Sequence, residues 1–155
     1  LKLKYLIIKI LKKKNQNKCN LICIKRKDLL FLSKISTMEF KIEKRDKFIL
    51  IQVMVDKLDT HIAPSLKSEL VLIAGNGEKN IILDLNHCRY CDSSGLSAIL
   101  VANRLCKNAN GVFILSGLQT AVERLITISQ LDTVLSIAEN IDKAQEMLEK
   151  ELSKE

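Results

Sequence analysis

The residues with the clearest chemical potential are the Asp-Ser-Ser-Gly of positions 92–95, between a predicted strand (81–85) and a long apolar helix (96–105). In open α/β sheets, ligand sites form at such strand-to-helix junctions. Backbone N–H groups in the first turn of a helix lack intrahelical partners and carry partial positive charge, so the position favours a phosphate or another oxyanion. Because Asp and Ser are also preferred helix caps, the pattern alone leaves a structural role open.

A second group of chemically capable residues is the cysteines, of which Cys88 and Cys91 have the C-x-x-C spacing of redox and metal sites. One such pair supplies only two of the four ligands that zinc usually takes. Cys19 and Cys23 complete a set only if the N-terminal segment folds back. We therefore predict no metal and no cofactor, and expect buried or semi-exposed thiols, Cys106 included.

An enzyme active site is not favoured by the remaining candidates. Ser93, His87 and Asp84 can be written as a triad, but His87 directly follows a strand and Ser93 is not in a G-x-S-x-G turn. The sequence contains no P-loop, which argues against intrinsic nucleotide hydrolysis. We predict that the chain is not an enzyme.

The elements that must position residues 92–95 follow from the hydrophobic pattern. Strands are predicted at 39–43, 48–55, 81–85, 112–115 and 134–137, the first two as an antiparallel hairpin. Asp59-Thr60 can cap a first helix with Pro64 in its first turn, ending at Gly75 or Gly77. The second helix should bury a wide face that includes Leu100. The order β-β-α-β-α-β-α-β-α predicts an α/β fold with a mixed sheet of about five strands.

Charge divides the 155-residue chain into two parts. Residues 1–37 hold 11 Lys/Arg and one acid, whereas residues 38–155 hold 14 Lys/Arg and 17 acids. The basic excess of the whole chain therefore belongs to the extension, and a mildly acidic domain is not expected to bind nucleic acid directly. The tract 1–37 could also lie on an anionic membrane or bind nucleic acid. We expect it to be disordered or non-native, since Met38 directly precedes the first strand.

Residues 83–100, centred on Asp92-Ser93-Ser94-Gly95-Leu96, closely resemble the STAS domain of bacterial anti-sigma factor antagonists. The resemblance extends upstream to residues 58–61 and downstream to 116–118, 122–125 and 131–132. It covers residues 38 to about 152, so the STAS domain is predicted to be 38–155. It implies helices mainly on one face of the sheet. Asp56 stands where the family usually has glycine, which predicts an altered loop backbone there.

The resemblance implies a phosphorylation switch at Ser93. The unphosphorylated domain is expected to bind an anti-sigma factor that is a serine kinase, which frees a sigma factor. The kinase then phosphorylates Ser93 and releases the domain, and a PP2C-type phosphatase resets it. The expected partner-binding residues are Asp59, Asp92, Ser93, Ser94 and Gly95.

A second role remains open from the same resemblance. STAS domains also serve as small subunits of ABC-type membrane lipid-transport complexes, where they act without phosphorylation. In either role we expect a cytoplasmic protein, because no run of about 18 apolar residues indicates a transmembrane segment.

Overall fold

The structure is a computed structural model, and it describes residues 39–153. Seven strands and four α-helices lie in this range, with a 3₁₀ turn at Leu131–Thr133: β1 Phe40–Lys44, β2 Ile49–Val53, β3 Lys57–Leu58, α1 Ala63–Gly75, β4 Ile81–Asp84, β5 Tyr90–Cys91, α2 Ser93–Asn108, β6 Phe113–Ser116, α3 Thr120–Ile128, β7 Ser136–Ala138 and α4 Ile141–Leu152. The predictions for residues 1–37, and for Cys19 and Cys23 within them, lie outside the described residues. The domain boundary at 38 stays a prediction.

The main sheet has five strands in the order β1-β2-β4-β6-β7. Strands β1 and β2 form the predicted antiparallel hairpin, and the other neighbouring pairs are parallel. Along the central strands, successive residues alternate between two apolar clusters, as the two-residue period of a strand requires. Ile49 and Ile51 face one cluster and Leu50 the other. The mixed α/β fold is therefore confirmed.

The helices cover the two faces of this sheet unequally, as predicted. Helices α1, α2 and α3 contribute Leu66, Ile99 and Val122 to the larger apolar cluster. Of the four helices within residues 39–153, only α4 packs on the opposite face, where Ala144 and Leu148 belong to the smaller cluster. Each β-α-β unit joins parallel strands, so α1 and α2 run in the same direction and begin at the carboxyl edge of the sheet.

The buried face of α2 is narrower than the sequence predicted. Leu100 is 36% exposed, whereas Ala98, Ile99, Ala102 and Cys106 are buried. Each helical residue turns the side chain by about 100°, so a stripe centred on Ile99 and its i+3 and i+7 neighbours leaves Leu100 at its margin. Residues 98–102 are apolar without interruption, so the sequence alone did not show where the buried face of α2 ends.

A second, two-stranded sheet pairs β3 with β5 in parallel, and the sequence did not predict it. Both strands have two residues, which is too short for a two-residue period to be recognised. Lys57 and Leu58 lie opposite Tyr90 and Cys91. This small sheet brings together the loops that follow β2 and β4.

The outer strands of the main sheet, β1 and β7, differ in length and charge. Strand β7 has three residues, whereas β1 has five and carries charged side chains. Glu43 accepts from Lys41 at 2.6 Å and from Arg45 at 2.9 Å, and Lys44 pairs with Glu78. Hydrogen bonds from Lys41 and Arg45 hold the pKa of Glu43 below its usual value. No helix within residues 39–153 is long and apolar enough to span a membrane.

Candidate functional site

Two loops meet at the carboxyl edge of the main sheet because β3 and β5 fix them side by side. Beyond the strand pair, the N–H of Asp92 donates to the carbonyl of Leu58 at 3.3 Å. Before it, the N–H groups of Arg89 and Tyr90 donate to the carbonyl of Asp56 at 2.8 and 3.1 Å. The loop after β2 is therefore hydrogen-bonded to residues 89–92, directly before α2, on both sides of the strand pair.

Asp92 is the N-cap of α2 and also a bridge to the neighbouring loop. Its Oδ1 accepts the N–H groups of Ser94 at 2.7 Å and Gly95 at 2.9 Å. Its Oδ2 accepts the N–H of Thr60 at 3.2 Å. The backbone of Asp92 is extended, which is the conformation expected of a cap. One carboxylate thus holds the first turn of α2 and the turn before α1 in a fixed relation.

The first turn of α2 is not the open set of N–H groups that the sequence predicted. Asp92 Oδ1 occupies two of them, and the N–H of Leu96 donates to the carbonyl of Asp92 at 2.9 Å. The capping role that the pattern left open is therefore real, and an anion at this terminus cannot use those donors without displacing Asp92.

Ser93 is the first residue of α2 and has an exposed side chain. Within residues 39–153, its hydroxyl has no hydrogen-bond partner. Ser94 is half-buried and contributes its backbone N–H to the cap. Of the two neighbouring hydroxyls, the one at position 93 is therefore the more accessible.

Asp59 shapes the turn before α1 but does not cap the helix itself. Its Oδ1 accepts the N–H groups of His61 at 2.9 Å and Ile62 at 3.4 Å, as in an Asx turn. Helix α1 begins at Ala63, with no side-chain cap and with Pro64 in its first turn. The predicted cap at Asp59-Thr60 was thus wrong in position, because three turn residues intervene before Pro64. The N–H of Thr60 instead reaches Asp92.

Gly95 allows the small sheet to lie against the first turn of α2. A Cβ atom at this position would lie 2.3 Å from the carbonyl oxygen of Leu58 and 2.6 Å from Cys91 Sγ. Contacts that short do not occur between real atoms, and the carbonyl belongs to backbone that the small sheet fixes. The close backbone approach expected at Gly95 is therefore present.

Asp56 does not take the strained backbone that its replacement of a family glycine suggested. Among residues 39–153, only Asn110 and Gln130 combine a side chain with a positive φ. The side chain of Asp56 instead lies 3.4 Å from Arg89 Nε, with both groups largely exposed. The loop keeps its shape through the Asp56 carbonyl, which any residue type can supply.

The cysteines beneath the site are buried and form no ligand set. Cys88 and Cys91 donate to backbone carbonyls, from Sγ to Tyr90 O at 3.1 Å and to Asp92 O at 3.5 Å. Burial raises the pKa of the Cys88 thiol, raises that of Cys91 to about 12 and raises that of Cys106 to about 11. Within residues 39–153, no three His, Cys, Asp or Glu side chains are grouped closely enough to hold a metal ion.

The triad that can be written from the sequence is not assembled. Asp84 is buried, and its carboxylate accepts from Gln52 Nε2 at 3.1 Å and from the N–H of Asn86 at 3.2 Å. These two partners are structural, and His87 is exposed. The loop after β6 lies close to Asp84 because Gly117, whose φ is +66°, has no side chain to collide with the Asp84 carboxylate.

Sequence reasoning missed one polar contact beside the site. Lys67 Nζ, on α1, donates to Ser97 Oγ on α2 at 3.0 Å. Ser97 lies four residues after Ser93, so the sequence does place both hydroxyls on one helix face. Nothing in the sequence says that a lysine 30 residues away lies against that face.

Comparison with known proteins agrees with this geometry. The family model for the STAS domain matches residues 39–144. BtrV of Bordetella bronchiseptica, named as a proposed anti-sigma factor antagonist, is 25% identical over 107 residues, covering 69% of this chain and 91% of BtrV. The structure of a proposed anti-sigma factor antagonist from Thermotoga maritima superposes with a TM-score of 0.65 at 24% identity, over 71% of this chain and 94% of that one.

A second similar structure is that of a phosphorylated protein. The phosphorylated form of the Bacillus cell-fate determinant SpoIIAA superposes with a TM-score of 0.57 at 19% identity, over 70% of this chain and 98% of SpoIIAA. At these identities the two structural matches establish a common fold. The role of each residue in the present chain rests on its own geometry.

Proposed function

Because this chain belongs to the STAS domain family, we propose that it is an anti-sigma factor antagonist controlled by phosphorylation. Unphosphorylated, it binds an anti-sigma factor that is a serine kinase and thereby frees a sigma factor. The kinase transfers the γ-phosphoryl group of ATP to Ser93 Oγ, with ADP as the leaving group, and the domain dissociates. A PP2C-type phosphatase hydrolyses the phosphoserine and restores binding. These partners would place the protein in the cytoplasm.

The observation that carries this proposal is the exposed, unpartnered hydroxyl of Ser93 on a rigid helix terminus. A kinase needs a serine whose oxygen it can reach, and Ser94, half-buried beside it, is less accessible. The bonds from Asp92 to Ser94, Gly95 and Thr60 hold the surrounding backbone in place. We expect the partner surface to comprise Ser93 and its neighbours Asp59, Asp92, Ser94 and Gly95.

The switch would act by changing the charge of the docking surface rather than the fold. Phosphorylation adds about −1.5 to −2 charge at pH 7, directly beside the Asp92 carboxylate. Bringing that charge against an acidic group of the partner costs several kcal/mol, and about 1.4 kcal/mol is tenfold in affinity. SpoIIAA, a similar protein, is known in both unphosphorylated and phosphorylated forms, which supports the same chemistry here.

The test compares serine variants of the full chain. Ser93→Ala should bind the kinase permanently and accept no phosphate, and Ser93→Glu should bind it about tenfold or more weakly. Ser136→Ala, which removes an exposed hydroxyl on β7 outside the expected partner surface, is the matched control and should be phosphorylated on Ser93 and released like the native protein. Binding is measured by titration calorimetry, and the modified residue by peptide mass spectrometry.

Two results would contradict the proposal. Equal kinase binding by Ser93→Ala and Ser93→Glu would show that charge at this position controls nothing. Protein purified from its native host that never carries phosphate on Ser93, and that co-purifies with an ABC-type ATPase, would instead identify a lipid-transport subunit.

A further inference from the structure

Lys67 lies against the face of α2 that begins with Ser93. Its Nζ donates to Ser97 Oγ at 3.0 Å. Ser93 and Ser97 are four residues apart on α2, and the Cβ atoms of such a pair are about 5–6 Å apart. The amine of Lys67 is thus one helical turn from the Ser93 side chain, along a line of hydroxyls on one helix face.

The parallel directions of α1 and α2 place Lys67 beside the first two turns of α2, where Ser93 and Ser97 lie. Helices α1 and α2 run in parallel from the same edge of the sheet, and the bond from Thr60 N–H to Asp92 Oδ2 joins their starts. Lys67 is four residues into α1, and Ser97 is four residues into α2. Helical side chains tilt toward the N-terminus of their helix, so a rotamer change of the flexible Lys67 stem would carry its amine from Ser97 toward Ser93.

A phosphoryl group on Ser93 would need a cation, because its surroundings are otherwise unfavourable. Asp92 already accepts the N–H groups of Ser94 and Gly95, so the usual donors of a helix N-terminus are occupied. The nearest carboxylates, of Asp92 and of Asp59 on the adjoining turn, repel an added negative charge. Lys67 has no carboxylate partner within residues 39–153. If its side chain moves, it loses only the hydrogen bond to the neutral hydroxyl of Ser97.

We propose that Lys67 is the internal partner of phosphorylated Ser93. In the unmodified protein its amine is held by the Ser97 hydroxyl, and after modification it swings along α2 to pair with the phosphoryl oxygens. This inference rests on the proposed function, since it takes Ser93 as the modified residue, and it adds the residue that recognises the modification. In the unmodified protein the positive charge of Lys67 is available to a partner. In the phosphorylated protein the phosphoryl group neutralises that charge.

The experiment places phosphoserine at position 93 of the full chain during synthesis by genetic encoding, so that no kinase is involved. The second pKa of the phosphate is measured by ³¹P NMR in the native background and in Lys67→Met, Lys67→Arg and Lys107→Met. Asp59, His61 and Asp92, the other titratable groups beside Ser93, are present throughout, so their contributions are common to every titration.

Pairing with a cation stabilises the dianion, so the native phosphate should have the lowest pKa. Lys67→Met, which keeps the length of the side chain and removes its charge, should raise that pKa by about 0.3 to 0.7 unit, the range of a partly exposed ion pair. Lys67→Arg should restore the native value. Lys107→Met removes the same charge at the far end of α2, about 20 Å away and beyond the screening length, and should cause no shift.

An unchanged phosphate pKa in Lys67→Met would overturn the pairing. A shift of equal size in Lys107→Met would overturn it as well, because it would reveal only the general field of the protein. The proposed function is decided by different data, the kinase binding of the Ser93 variants. Loss of the pairing would therefore leave the switch at Ser93 standing, and loss of the switch would be seen without any NMR result.

Discussion

Helices α2 and α4 both begin with a side-chain cap, but the two caps make different contacts. At α4, Asn140 Oδ1 accepts the N–H of Lys143 at 2.9 Å, and both residues are exposed. At α2, Asp92 accepts two N–H groups of its own helix with one oxygen and the N–H of Thr60 with the other. The cap of α4 only begins a helix, whereas the cap of α2 also joins two loops.

The third residue of each helix shows the same contrast. Lys143 lies in solvent and pairs with Glu146 at 3.1 Å, whereas Gly95 is buried against the carbonyl of Leu58. The terminus of α2 is therefore fixed from both sides, by a carboxylate above and by the small sheet beneath. Because these contacts hold the terminus in place, the hydroxyl of Ser93 can remain exposed at the first residue of α2 without contributing to the cap.

The largest expected difference between the termini is at this third position. Gly95→Ala should lower the free energy of unfolding by about 2–3 kcal/mol, because the new methyl group overlaps fixed backbone. Lys143→Ala, its counterpart in α4, should change it by less than about 0.5 kcal/mol. Urea denaturation measures both. Similar losses for the two variants would contradict the close packing of α2 on the small sheet.

Removing the caps should give the next largest difference. Asp92→Ala should lower the free energy of unfolding by about 2 kcal/mol, and Asn140→Ala by about 1 kcal/mol, because only Asp92 also holds a second loop. The amide hydrogen of Thr60 should exchange faster in Asp92→Ala. Unaltered exchange at Thr60 would mean that the bridge between the loops contributes nothing.

A smaller difference should appear in the pH dependence of stability. Burial raises the pKa of Cys91, beneath the first turn of α2, from its ordinary value near 9 to about 12. The stabilisation from keeping this thiol protonated is complete below pH 9 and is lost as pH rises toward 12, since the unfolded chain releases the proton first. At pH 10 the loss is about 1 kcal/mol.

Cys91→Ala should therefore have a flatter stability profile above pH 9 than the native protein, measured by urea denaturation at pH 7, 9 and 10. Asn140→Ala keeps this thiol and should follow the native profile. A native profile as flat as that of Cys91→Ala would show that the thiol beneath α2 is not shielded from water.

The smallest effect is expected at Ser93 itself. Ser93→Ala should change the free energy of unfolding by less than about 0.5 kcal/mol, because the hydroxyl is exposed and has no partner within residues 39–153. Ser93→Glu should also be close to neutral, because position 93 is exposed and solvent screens the repulsion by Asp92. Large destabilisation by either variant, in the same urea measurement, would mean that altered binding reflects unfolding.

Local patterns predicted the parts of this molecule that depend on local physics. The alternation in β1 and the apolar run of β2 predicted the hairpin. Asp92 was recognised as either a cap or a site, because its neighbours in the chain already suit both. The order of elements sufficed for a mixed sheet, since β-α-β connections have one hand.

The contacts missed by the sequence analysis are those between residues distant in the chain. Thr60 and Asp92 are 32 residues apart, as are Gln52 and Asp84, and Lys67 and Ser97 are 30 apart. Strands β3 and β5 have no pattern of their own and pair only because the main sheet has already placed their loops together. The candidate site is built largely from such contacts, so its geometry could not be predicted from the sequence.

The outer edges of the main sheet affect how this protein meets others. An unpaired strand edge can recruit a strand from another chain, which is a common route to aggregation. Here β7 has only three residues, and β1 carries the charged side chains of Lys41, Glu43 and Lys44. Short length at β7 and charge at β1 therefore disfavour intermolecular strand addition at the two outer strands of the sheet formed within residues 39–153.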